Sequence, residues 1–154
     1  MMTPLHPRQL TLLRVRAAIA AVILLALILY GDSTFLRLTP VPFGLATGAA
    51  ALLLGIWAIL VPARRYRSWG YEMAEDELHI QYGLWTRART VVPFGRVQHI
   101  DVTQGPLERR FGLGTLVLHT AGTRSSAVDL PGLAHEEAGR IRDHVRSKIR
   151  QDLD

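Results

Sequence analysis

A few groups of side chains in this 154-residue chain are of types that do chemistry elsewhere. His99, Asp101 and His119 are one, because imidazole and carboxylate both ligate metals and both move protons. Their spacing argues against either use. The six histidines, His6, His79, His99, His119, His135 and His144, contain no i, i+4 pair and no His-x-His. Polar pairs of this kind are ordinary on the solvated face of a sheet. Gly112-Leu113-Gly114 suggests a phosphate loop but lacks the Lys-Ser/Thr and the following helix that such a loop needs, so it reads as backbone turns. Ser125, Ser126 and Asp129 have no nucleophile-elbow context. With no cysteine in the chain, thiol nucleophiles, disulfides and zinc-thiolate sites are excluded. The sequence therefore predicts no enzyme, no catalytic residue, no cofactor and no metal.

The arginines are the better candidates. Arg64, Arg65 and Arg67 follow an apolar run, Arg87 and Arg89 follow a predicted strand, and Arg109 and Arg110 sit beside Leu107 and Phe111 in a predicted loop. Arginines next to a bilayer attract anionic lipid at about 1 kcal/mol per residue, and they also fix topology. For Arg64, Arg65 and Arg67 topology is the simpler role. For Arg109, Arg110 and Phe111 a protein or lipid contact competes with a solvated loop. Exposed strand edges add a further possibility, pairing with a segment of a partner. The chain holds 17 arginines and a single lysine, Lys148, at a net charge of +5, which reads as compositional bias and not as a nucleic-acid surface.

The charges are unevenly placed. Residues 1–63 hold four Arg and one Asp, and Leu38 to Ala63 is a run of 26 residues without a charge, which a small water-soluble domain does not contain. A first apolar stretch, Ala17 to Gly31, becomes long enough to span by including Leu10 to Val15 with Arg14 and Arg16 snorkelling. A signal peptide is the competing reading, but no small-x-small cleavage site follows Leu29. The second, Phe43 to Val61, follows Pro40 and Pro42 and precedes Arg64, Arg65 and Arg67. The positive-inside rule then puts both termini in the cytoplasm, with an external hairpin from Gly31 to Thr39 carrying Asp32 and Arg37. Gly44, Gly48, Ala51 and Gly55 mark a close-packing stripe, expected to meet Ala17, Ala18 and Ala21 of the first helix, with dimerisation as the alternative. No ionisable residue lies in either helix core, so transport has nothing to build on.

After Arg67 the period changes. Tyr71–Met73, Leu78–Tyr82, Arg89–Val92, Val97–Thr103, Leu116–Ala121 and Ser126–Leu130 are rich in β-branched or aromatic residues and are separated by turn residues. In Val97–Thr103 the alternation sets Ile100 and Val102 on one face and His99 and Asp101 on the other. Ala134, Ala138, Ile141, Val145, Ile149 and Leu153 then define one apolar helical stripe, with Glu136 and Glu137 in the first turn. The chain is thus expected to be α+β: a transmembrane hairpin over residues 1–63, with helices at about 10–30 and 43–61, and over residues 64–154 a small antiparallel barrel or sandwich capped by one C-terminal helix.

Spaced segments carry a resemblance: Trp69-Gly70-Tyr71-Glu72, Asp76-Glu77-Leu78-His79-Ile80-Gln81-Tyr82-Gly83, Val92-Pro93-Phe94-Gly95-Arg96-Val97-Gln98-His99-Ile100-Asp101-Val102, Gly105-Pro106-Leu107-Glu108-Arg109-Arg110-Phe111-Gly112-Leu113 and His119-Thr120-Ala121-Gly122. Together they resemble the YdbS-like bacterial PH domain family, also called the bacterial membrane-flanked domain, over roughly residues 65–145. One departure is Leu133-Ala134-His135-Glu136-Glu137, which supplies no cap residue for the closing helix. The resemblance implies a membrane-anchored, non-catalytic module, often one of a pair of related membrane proteins. In eukaryotic PH domains basic residues of the first strand-to-strand loop hold phosphoinositide; the corresponding Met73-Ala74-Glu75-Asp76-Glu77 has three acids and would repel phosphate. The expected partners are therefore the lipid bilayer, a related PH-like membrane protein or a second copy of the chain, and no nucleic acid. The expected location is the plasma membrane, and the role that of an interaction or scaffold module. The alternative is an anionic-lipid sensor acting through Arg64, Arg65, Arg67, Arg87, Arg89, Arg109 and Arg110.

Overall fold

The computed structural model describes residues 2–34, 44–121 and 127–151. Phe43, Pro40, Pro42 and Arg37, with Gly122, Ser125, Ser126 and Leu153, lie outside the described residues. The chain divides into two compact units, Met1–Leu12 with Arg65–Asp154, and Leu13–Arg64.

The second unit contains most of two long helices, α1 (Arg8–Thr34) and α2 (Leu45–Ser68). Both are long and apolar enough to cross a membrane. They leave Val22, Leu27, Leu52, Leu53 and Ile59 exposed, a surface that water would penalise at about 25 cal/mol per Å² and lipid would not. Both helices outrun the apolar stretches. α1 continues through Asp32 to Thr34 because the Asp32 carboxylate is used locally: Oδ2 accepts from the Gly44 N–H at 3.0 Å and from the Thr47 hydroxyl at 2.8 Å, capping the start of α2. α2 continues through Pro62 to Ser68. The glycine stripe does not pack as expected: a Cβ added at Gly44, Gly48 or Gly55 would meet nothing within 4 Å.

The first unit is an α+β domain of two antiparallel sheets. One holds β1 (Thr3–Pro4), β2 (Gly70–Met73), β3 (Glu77–Tyr82) and β4 (Ala88–Pro93) in that order; the other holds β5 (Val97–Thr103), β6 (Leu113–Thr120) and β7 (Ala127–Ala134). A short helix α3 (Pro106–Phe111) joins β5 to β6, and α4 (His135–Gln151) ends the described chain. The sheets form a sandwich-like PH fold, not a closed barrel. Alternation builds it: Leu78 and Ile80 of β3 and Leu116 and Leu118 of β6 are fully buried, while Glu77, His79, Thr115 and Val117 point away from that core. Ala138, Ile141 and Val145 of α4 close the core, each buried aliphatic contributing about 1–3 kcal/mol according to size. Ala134, expected on that stripe, is instead the last residue of β7. The first N–H of α4, of His135, donates to the Gly112 carbonyl at 3.1 Å.

Two further features differ from the sequence expectation. The stretch Pro106–Phe111 is a helix, not a loop; the Glu108 carboxylate accepts from the Gly105 N–H at 2.8 Å and holds its start. The N-terminal residues, expected with the hairpin, join the β-domain. β1 pairs with β2, Leu5 is 2% exposed within the core, and the Leu5 carbonyl accepts from the Tyr66 hydroxyl at 2.8 Å. The His6 N–H donates to the Gly132 carbonyl at 2.9 Å, and Gln9 is buried beside that glycine. Gly132 has φ +74°, and an added Cβ would lie 2.6 Å from Gln9 Cγ. Gly132→Ala is therefore expected to destabilise the domain by about 2–3 kcal/mol through backbone strain and overlap. Gly139→Ala, where nothing lies within 4 Å, is expected to stabilise α4 by about 0.5–1 kcal/mol. Thermal unfolding of both variants in one detergent checks that the shifts have opposite signs.

Candidate functional site

The structure distributes the candidate arginines over separate elements. Arg64, Arg65 and Arg67 occupy the last turns of α2 and are exposed. Arg67 borders a groove of about 230 Å³ with Met2, Pro4, Trp69, Gly70 and Gln81. Arg89 stands opposite Gln81 on β4, and its guanidinium lies 3.0 Å from His79 Nδ1, whose Nε2 lies 2.5 Å from the Glu77 carboxylate. Arg89 is thus tied into a polar chain on the outer face of its sheet, whereas Arg87 lies in the turn between β3 and β4. Arg109 and Arg110 are exposed on α3, which packs on β6 of the other sheet, and Phe111 beside them is half-buried. The Phe111 carbonyl accepts from the Arg8 guanidinium at 3.4 Å.

Register brings together what sequence spacing leaves apart. His99 of β5 pairs directly with His119 of β6, and both imidazoles face Asp101, at 2.9 Å from His99 Nε2 and 3.4 Å from His119 Nε2. His99 is 68% exposed and Asp101 46% at their side chains, so the cluster is open to water. Among the described residues no group of three or more such side chains is arranged to hold a metal ion. Beside it a groove of about 430 Å³ runs between β5 and α4, lined by Gln98, His99, Ile100, Arg142, Arg146 and Ile149. Arg142 is paired to its neighbour Asp143 at 2.8 Å. The acidic loop between β2 and β3 also has a structural use: Asp76 lies 3.4 Å and Glu75 4.0 Å from Lys148 Nζ on α4.

Sequence comparison places the chain among known proteins. The family model for the bacterial PH domain matches residues 10–149. The chain belongs to the bacterial PH domain family. Among its curated relatives is the UPF0699 transmembrane protein YdbS of Bacillus subtilis (strain 168), 41% identical over 98 residues, which are 62% of this chain and 60% of YdbS. Another is the UPF0699 transmembrane protein YdbT of the same organism, 31% identical over 106 residues, 68% of this chain and 22% of YdbT. The chain thus aligns to less than two thirds of the length of either relative. No solved structure matches it. The family and the two apolar helices make this bacterial PH domain chain a membrane protein with a PH-like module.

The contact that closes this bacterial PH domain on its helix also carries a titration signature. Tyr71 of β2 is 6% exposed and donates to Glu137 of α4 at 2.5 Å, inside a groove of about 420 Å³ shared with Met73, Arg140, Ile141 and His144. Burial, then the hydrogen bond to and negative charge of Glu137, push the phenol well above the ordinary tyrosine range. A raised folded-state pKa means that the stabilisation is complete below about pH 10, the unfolded value, and is lost as pH rises toward the folded value. Absorbance titration is expected to show Tyr71 ionising well above the ordinary tyrosine range. Tyr71→Phe is expected to remove that late step and to flatten the loss of stability above about pH 10.

Proposed function

We propose that the protein is a two-pass, membrane-anchored, non-catalytic interaction module, with its PH-like domain and both termini on the cytoplasmic side. The observation that carries this reading is the composition of the β-domain. Residues Met1–Leu12, before the first apolar helix, pack in the same compact unit as residues that follow the second. A chain that threads a bilayer between two parts of one folded unit must cross an even number of times. Arg8, Arg14 and Arg16 on one flank and Arg64, Arg65 and Arg67 on the other favour the cytoplasm as the shared side.

The partner in this reading is a second membrane protein of the same family. Its support is the presence in one bacterium of two transmembrane relatives, YdbS and YdbT, that both resemble this chain. Confinement to the membrane plane raises the effective concentration of such a partner, so the domain needs only modest intrinsic affinity. The non-catalytic character rests on the openness of His99, Asp101 and His119, since acid-base chemistry is strengthened by water exclusion. The lipid-sensor alternative is less favoured because its arginines are divided: Arg89 is held by His79, and Arg109 and Arg110 belong to the helix packed on the other sheet.

Two experiments test this. The natural chain has no cysteine, so single cysteines report side without background. A cysteine at Thr34 is expected to react with an impermeant maleimide added outside intact cells, and one at Glu75 only after lysis; external labelling at Glu75 would reverse the topology. In-membrane crosslinking followed by purification in mild detergent is expected to yield a stoichiometric membrane protein, depleted when Arg109→Glu/Arg110→Glu disrupts the exposed face of α3. Recovery of anionic lipid alone, lost in the same variant, would replace the scaffold reading with the lipid sensor.

A further inference from the structure

Trp85 is 90% exposed and adjoins Leu84, itself exposed, in the turn between β3 and β4. A large aromatic held in water at the tip of an ordered turn is costly unless something covers it. The turn is specifically built. Gly83 has φ +121°, and a Cβ there would collide with the Thr86 carbonyl, so the backbone folds tightly and pushes residues 84–86 outward.

The position of the turn says what covers it. α2 ends at Ser68 and β2 starts at Gly70, so β2 runs away from the end of α2 and β3 returns toward it. Register sets Gln81 beside Gly70, and Trp69 stacks on Tyr82 with ring centroids 5.2 Å apart. The tip therefore lies at the end of the sheet where the chain arrives from α2. From Val61, the end of the apolar run, α2 rises only about 10 Å to Ser68, roughly the depth of a headgroup layer. Trp69, Tyr82 and Trp85 together have the composition of an interfacial aromatic belt, and exposed Arg67 and Arg87 at the same end add positive charge.

We propose that the Gly83–Arg87 turn is a second membrane contact, in which Leu84 and Trp85 enter the headgroup layer of the bilayer spanned by α1 and α2, and Arg87 faces anionic headgroups. The contact would fix the orientation of the PH-like domain on the membrane. It goes beyond the partner reading: failure to capture a protein partner leaves it intact, and its own failure leaves that reading intact.

The test uses the full chain in liposomes of phosphatidylcholine, with and without phosphatidylglycerol. An environment-sensitive fluorophore is placed on a single cysteine at Thr86, or on one at Glu75 in the turn at the other end of the sheet. Quenching by nitroxide-labelled lipid is expected at Thr86 and not at Glu75. It is expected to fall to the Glu75 level in Leu84→Ser/Trp85→Ser, to be retained in Trp85→Phe, and to lose its enhancement by phosphatidylglycerol in Arg87→Glu. Leu84 and Trp85 lie outside the core, so the serine variants are expected to unfold at the wild-type temperature. A fluorophore at Thr86 as open to water as that at Glu75 in both liposomes would overturn the proposal. So would shielding that appears only when a second membrane protein is added, which would make the turn a protein-docking site.

Discussion

The structure depends on the seating of Leu5. This side chain is buried in the core of the β-domain, its carbonyl is held by the hydroxyl of Tyr66, and the next residue bonds across to Gly132 on the second sheet. Leu5 precedes the first apolar helix and Tyr66 lies in the last turns of the second. One buried leucine, worth about 2 kcal/mol in transfer energy, thereby joins two chain segments separated by the whole hairpin. Closing so long a loop costs entropy that rises only logarithmically with length, and a membrane that already holds both helices reduces it further.

The rest of the domain is arranged around that seating. β1 extends the edge of the first sheet, and Gly132, at a backbone angle that excludes a side chain there, makes room for Gln9. β7, which carries Gly132, runs directly into α4, and α4 is secured at both ends, by Tyr71 with Glu137 near its start and by Asp76 with Lys148 near its finish. The exposed pair Asp76–Lys148 contributes little, about 0–1 kcal/mol, whereas the partly buried phenol-carboxylate bond is the more consequential contact. The functional reading follows from the same geometry. The domain offers exposed edges, shallow grooves and a protruding turn, features suited to contact with other surfaces.

Much of this was legible in the sequence. The absence of charge from Leu38 to Ala63 announced a span, and alternation along β5 assigned the right faces to Ile100 and Val102. The N-terminal strand was not legible, because Thr3-Pro4 is too short to show a period and Leu5 stands between two prolines, Pro4 and Pro7, outside any periodic run. Helix α3 was hidden between Gly105-Pro106 and Gly112, which read as turns. Yet Pro106 in a first turn, Glu108 three residues after Gly105 and Gly112 after the last turn were capping signals in plain view. The His99–His119 contact needed the register of β5 against β6, which no local pattern supplies. The glycine stripe in α2 misled because spacing shows that a close approach is possible, not which surface makes it.

The most direct test of this account is hydrogen exchange, read by mass spectrometry on the intact protein in lipid nanodiscs, over the peptide covering residues 2–12. If the N-terminal segment is part of the domain, the amides from Thr3 to His6 that face β2 and Gly132 exchange as slowly as those of β2 and β3. Exchange of that peptide at the rate of an open chain, with β2 and β3 still protected, would contradict it. The two ends of the hairpin would then not be held in one unit, and the argument for an even number of crossings would fall.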